Sequence, residues 1–209
     1  MRKPAFALLF AAGIAPAFAA SSDIPLRADA PPRFVPEGWR METQLEADFD
    51  GDGGADIAMV VRNDDERWLL VAVGEGKGLR RIGLGALDPH PLGDAALEAK
   101  KSVLLITDLT GGTTAIQSTY RYRFESASGR MQLIGDDVEL YSRTNAHGGV
   151  KVSTNRLNGV RLTQASAIEE RDGERRFSKE KASTVPKDKL YLETAPTPAT
   201  TVGWGEEDN

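Results

Sequence analysis

The sequence contains no cysteine. That excludes a disulfide framework, a thiol nucleophile, a thiolate zinc site and a cysteine-linked lipid anchor. Histidine is nearly as scarce: His90 and His147 are the only two, and both sit in loop-like stretches. With no third imidazole, a zinc centre would have to draw on unidentified acids. No Gly-x-Ser-x-Gly elbow, Walker loop or dinucleotide fingerprint occurs. Glu169 and Glu170 are adjacent, and strand neighbours point to opposite faces, so they make a poor glycosidase pair. Long apolar runs are also missing. The longest, Ala5 to Ala15, carries no charge and falls short of the roughly 20 apolar residues that span a bilayer.

That apolar run has a recognisable setting. Arg2 and Lys3 precede it, and the small residues of Ala17-Phe18-Ala19 follow. This is the layout of a secretory signal peptide over residues 1–19, with cleavage near Ala20. The expectation is a periplasmic or secreted protein that is not integral to the membrane once the leader is removed. The formal charge of −5 includes the two leader cations, so the mature chain carries −7. An acidic surface argues against nucleic acid or anionic lipid as the main partner.

Residues 20–38 hold Pro25, Pro31, Pro32 and Pro36 and read as an extended, mobile lead-in, because proline removes a ladder donor. A single all-β domain is expected over residues 39–193. Thr194 to Asn209, rich in proline and threonine, reads as a disordered tail.

Within the domain the pattern is of strands. Asp56 to Arg62 and Arg67 to Val73 are apolar on both faces, so both belong in the middle of a sheet. Ala115 to Phe124 alternates: Ile116, Tyr120, Tyr122 and Phe124 share one face, and Gln117, Thr119, Arg121 and Arg123 the other. The two arginines form either an anion site or, as such alternation more often means, a solvated face. Gly135-Asp136-Asp137 interrupts the next strand like a bulge. Asn158-Gly159 marks a hairpin between Val150–Asn155 and Val160–Ile168. A helical turn is expected near Ala95 to Lys100, either a polar edge hairpin turning at Asp172-Gly173 or a poorly ordered loop over Glu169 to Lys181, and a short last strand at Leu190 and Leu192. The sum is an antiparallel all-β fold of about ten or eleven strands, propeller-like or sandwich-like.

The most specific chemistry lies between the first two strands, in Asp48-Phe49-Asp50-Gly51-Asp52-Gly53-Gly54-Ala55-Asp56. Calcium takes six to eight oxygens at about 2.4 Å, and carboxylates on alternate residues of a tight loop converge on such an ion. Asp48, Asp50 and Asp52 supply them, Gly54 offers its carbonyl, and Asp56 closes the shell from the strand. Magnesium, with its rigid octahedron, fits less well. Four acids this close repel one another without a cation. An acidic glycine turn that binds nothing tightly uses similar residues, but not this four-acid spacing. An EF-hand is excluded because Met59 stands where the bidentate acid belongs.

An Asp-x-Asp-Gly-Asp-Gly-x-x-Asp run that leads directly into a strand resembles the calcium loop of FG-GAP and VCBS-type repeats, over Ala47 to Val61. More broadly the chain resembles small exported bacterial proteins that carry one such repeat. Pro36-Glu37-Gly38-Trp39 precedes the loop, Leu133-Ile134-Gly135 closes a later segment, and Ser153 to Gly159 follows. The resemblance implies a calcium-braced hairpin and no particular activity. Two other acidic stretches, Asp108 to Gly112 and Gly135 to Asp137, lack the spacing of a second copy. The reading is an exported calcium-binding module whose partner is an unknown protein or envelope polymer. Its rivals are an envelope-polymer hydrolase and an inhibitor or immunity-type protein that presents the Leu87–Leu97 loop.

Overall fold

Antiparallel strands dominate the computed structural model, which describes residues 24–205 apart from Glu170 and Asp172. The expected leader and the last four residues lie outside the described residues. A two-residue strand β1 (Arg27–Ala28) precedes four strands in meander order: β2 (Arg40–Ala47), β3 (Asp56–Arg62), β4 (Arg67–Glu75) and β5 (Gly78–Ala86). They form a five-stranded sheet in the order β1-β5-β4-β3-β2. The remaining strands are β6 (Ala96–Lys100), β7 (Val103–Gly111), β8 (Thr114–Glu125), β9 (Arg130–Ser142), β10 (Gly149–Asn155), β11 (Val160–Ile168), β12 (Arg175–Phe177) and β13 (Lys181–Thr184). They make an eight-stranded sheet in the order β12-β11-β10-β9-β8-β7-β6, with β13 also on β11. All pairings are antiparallel and neither sheet closes into a barrel. The all-β expectation holds, with thirteen strands among the described residues rather than ten or eleven.

One core lies between the sheets. Ala58, Val60, Leu69, Val71, Val73 and Ile82 of the first meet Leu104, Ile106, Ile116, Tyr120, Tyr122, Met131, Leu133, Val138 and Leu140 of the second. Strand period two selects these residues. On β9 the inward set changes from Met131 and Leu133 to Asp136, Val138 and Leu140. The ladder to β8 skips Ile134 at that point, so the bulge sits one residue before the expected interruption.

The outer face of the first sheet is also apolar: Ile57, Met59, Val61, Trp68, Leu70 and Ala72 are buried there with Ile24 and Phe34. The lead-in covers them. It was expected to be mobile, yet it pairs through β1 with β5, makes a short 3-10 turn at Pro31–Phe34, and buries Phe34 completely. Its prolines prevent a long ladder but not apolar burial. The ordered chain therefore begins before Trp39.

Three further expectations are corrected. Ala96–Lys100 is strand β6, because five residues cannot sustain a helix alone and the open edge of β7 offers a ladder. Leu190 and Leu192 make no strand. Tyr191 bridges Gln132, and Leu192–Thr194 form a 3-10 turn with Leu192 in the core. The tail from Thr194 is ordered as far as Gly205: α1 (Pro198–Val202) buries Thr201 beside the Tyr120 hydroxyl, which donates to the Pro196 carbonyl at 2.8 Å. The polar edge hairpin is present as β12 on β11, although Asp172 of its turn lies outside the described residues.

Candidate metal centre

The aspartate loop joins β2 to β3, as its sequence implies. Gly51 and Gly53 adopt φ of +83° and +84°, a backbone region that residues with a Cβ rarely enter. Those two left-handed steps curl the chain so that Asp48 is read twice: its Oδ1 accepts the Gly51 amide at 2.7 Å and its Oδ2 the Gly53 amide at 3.1 Å. The Asp50 carboxylate accepts the Asp52 amide at 3.1 Å. Asp56, fully buried at the first position of β3, accepts the amides of Phe49 and Asp50 on Oδ2 at 2.8 and 3.2 Å, and that of Gly74 on Oδ1 at 2.9 Å. Phe49 points the other way and is buried in the core between the sheets. One aspartate thus ties the loop to β4, and one phenylalanine anchors it.

Three of the expected ligands come together. Carboxylate oxygens of Asp48, Asp50 and Asp56 lie within 4.8 Å of one another. Asp52 is outside that group; its Oδ1 takes the Gly54 amide at 2.6 Å and it is exposed. A carboxylate has about four acceptor positions. The amide bonds leave two free on Asp48, three on Asp50 and one on Asp56. The three acids therefore retain oxygen valence for a hard cation. Burial raises the pKa of Asp50, and the charges of Asp56, Asp52 and Asp48 add to that rise against the Asp52 amide. Electrostatically the loop is short of positive charge.

A second polar centre escaped the sequence reading. Arg67, at the start of β4, is solvent-excluded and uses all five of its N–H groups. Nε and Nη2 bond both oxygens of Glu42 at 2.8 and 2.6 Å. Nη1 and Nη2 bond both oxygens of Asp108 at 2.7 and 3.0 Å, and Nη1 also reaches the Asp88 carbonyl at 3.2 Å. Glu42 is the extra residue of a bulge in β2, so it leaves the strand alternation. It further accepts the Ala95 amide at 2.7 Å. Burial pushes the Glu42 carboxyl up, but the Arg67 and Ala95 bonds and the Arg67 and Arg62 charges outweigh it and leave the pKa lowered. Asp108 belongs to the other sheet, so the triad clamps the two sheets together. The signal was present: period two from Leu69 and Val71 turns Arg67 inward, and from Leu104 and Ile106 it turns Asp108 inward.

The remaining candidates are accounted for locally. Asp136 is buried and paired with Arg156, Asp137 is paired with Arg121 and Asp108 with Arg67, so the acids of both other acidic stretches are committed to arginines. His90 is exposed; His147 bonds the Thr114 hydroxyl at 2.8 Å and stacks on Trp204. The Leu87–Leu97 loop is held down, with Arg62 on the Pro89 carbonyl and the Leu92 amide on the Leu109 carbonyl. Among the described residues no helix is long and apolar enough to cross a membrane. No protein-family model, curated protein or solved structure matches this chain.

Proposed function

We propose that the protein is an exported module of the FG-GAP/VCBS-like kind, braced by calcium, that binds a protein or polymer in the cell envelope. The observation that carries the metal reading is the convergence of Asp48, Asp50 and Asp56 on one point, with Asp56 fixed by three amides. These residues would hold the ion, with Asp52 and the Gly54 carbonyl joining if the loop tightens. Calcium supplies the positive charge that offsets three neighbouring carboxylates and locks β2 to β3. The ion's work is structural. A hydrolytic role lacks support, because the acids of the second polar centre are already committed to Arg67.

Calorimetry with calcium, paired with thermal denaturation, tests the reading. The expected result is a saturable heat and a raised melting temperature, both lost in Asp50→Asn and largely kept in Asp52→Asn. Absence of heat and of any melting shift at millimolar calcium sinks the metal reading.

A further inference from the structure

Arg121 and Arg123 share a face of β8, but their surroundings differ. Arg121 is paired with Asp137 at 2.5 Å. Arg123 is exposed and, among the described residues, its guanidinium makes no hydrogen bond or ion pair. It lies in the wall of a cleft of about 460 Å³ at one end of the eight-stranded sheet. Three segments distant in sequence build that cleft. The β8–β9 hairpin gives Arg123, Glu125 and Gln132, the β10–β11 turn gives Arg156, and the chain after β13 gives Lys187 and Lys189.

The position of Lys187 is built into the fold. The Val185 amide donates to the Gly159 carbonyl at 2.9 Å. A Cβ on Gly159 would stand 2.7 Å from the Val185 carbonyl and 3.2 Å from Lys187 Cγ, and φ there is +74°. Only glycine lets the Val185–Lys187 segment press against this turn.

Charge accounting then singles out two cations. Arg156 is spent on the buried carboxylate of Asp136, at 2.5 and 3.2 Å. Lys189 is held by Glu125, which also accepts the Ser128 and Tyr191 hydroxyls, each at 2.7 Å. The Lys187 ammonium, like the Arg123 guanidinium, has no hydrogen bond or ion pair among the described residues. Two uncompensated positive charges thus face one concavity on a chain whose net charge is −5.

We infer that this cleft binds a phosphate monoester. The ester carries between 1.5 and 2 negative charges at neutral pH (roughly), which matches the two unmatched cations. A guanidinium fork grips two phosphate oxygens, an ammonium adds a point charge, and the Gln132 amide supplies a neutral donor. The volume falls within the range of about 300–1,000 Å³ typical of small-molecule sites, so there is room for the group that bears the phosphate.

The test is calorimetric titration of the protein at low salt with inorganic phosphate, and separately with long-chain polyphosphate. Inorganic phosphate should bind, about tenfold more weakly in either Arg123→Gln or Lys187→Gln, and not measurably in the double variant. Lys77→Gln, in a hairpin of the other sheet, should bind like the parent. Neither Arg123 nor Lys187 has an intramolecular partner to lose, so both variants should melt with the parent. Much tighter binding of polyphosphate than of inorganic phosphate through the same two residues would overturn the monoester assignment in favour of an extended polyanion; equal or weaker binding supports it. The inference fails if neither probe binds at about 10 mM, or if the double variant binds as the parent does.

Discussion

Replacing Arg67 by methionine should be among the most damaging single changes in the molecule. The guanidinium and its two carboxylate partners are almost wholly removed from water. Methionine fills similar length but leaves Glu42 and Asp108 as two buried anions facing each other. Breaking a buried ion pair by deleting one partner costs about 3–5 kcal/mol. Arg62 stands 3.8 Å from Glu42 and offsets part of the loss, which favours the lower end. For a domain of this size each kcal/mol moves the melting point by about 2–4 °C, so a fall of roughly 6–20 °C is expected. Urea and thermal denaturation followed by circular dichroism measure it. Hydrogen exchange adds a local readout: the Ala95 amide, held by Glu42, should lose protection before the strands do. The reasoning also requires rescue. Arg67→Met with Glu42→Gln and Asp108→Leu removes all three charges while keeping an acceptor for Ala95. That triple variant should recover most of the loss, because apolar replacement of a whole buried ion cluster is often neutral. A single variant within about 1 kcal/mol of the parent, or a triple no better than the single, refutes the account.

The same centre sets a pH dependence. The folded-state pKa of Glu42 lies below its ordinary 4.5, so its contribution is complete above that value and is lost as the pH falls through the lowered one. Acid titration of stability should therefore be steeper in the parent than in Glu42→Gln. Asp56→Ala should destabilise the calcium-free protein by about 1–3 kcal/mol, because the buried Phe49 amide loses its acceptor, whereas Asp50→Ala should not; chemical denaturation in chelator separates them. Phe34→Ala should cost about 3–5 kcal/mol, read by the same assay, since the ring is fully buried against the outer face of the first sheet. A chain starting at Trp39 should bind a hydrophobic dye through that uncovered face.

Much of the architecture was legible from periodicity, because period two is local. Asp56–Arg62 was placed to the residue, and the doubly apolar character of β3 and β4 announced cover on both sides. What supplied the second cover was not legible. Ile24 and Phe34 are isolated apolar residues among prolines, and a segment without ladder potential reads as loose even where it buries a ring. The tail was misread for a similar reason: α1 is too short to have a sequence signal, and its order comes from the Tyr120 hydroxyl and Arg161 beneath it. Ala96–Lys100 favoured helix by composition, and the strand won because β7 had an open edge. The Arg67 clamp joins residues 25 and 41 positions apart, a distance no local pattern covers.

The aspartate loop has a finer division of labour than spacing alone supplies. By spacing, Asp56 is one ligand among five. By geometry it is the hinge of the loop, since from the β3 arm it accepts the Phe49 and Asp50 amides of the β2 arm and the Gly74 amide of β4 before any cation is considered. It also heads β3, whose side chains are buried from Asp56 through Val61. An ion that tightened Asp48 and Asp50 onto Asp56 would therefore pull on a strand buried over six consecutive residues. Asp52 stands at the exposed turn, where its loss disturbs little beyond one amide bond. The acids nearest β3 are thus the ones whose metal binding would register in global stability. A calcium effect on melting that depends on Asp50 and not on Asp52 is the mark of a brace on the core, whereas equal dependence on both would indicate an ion held only by the turn.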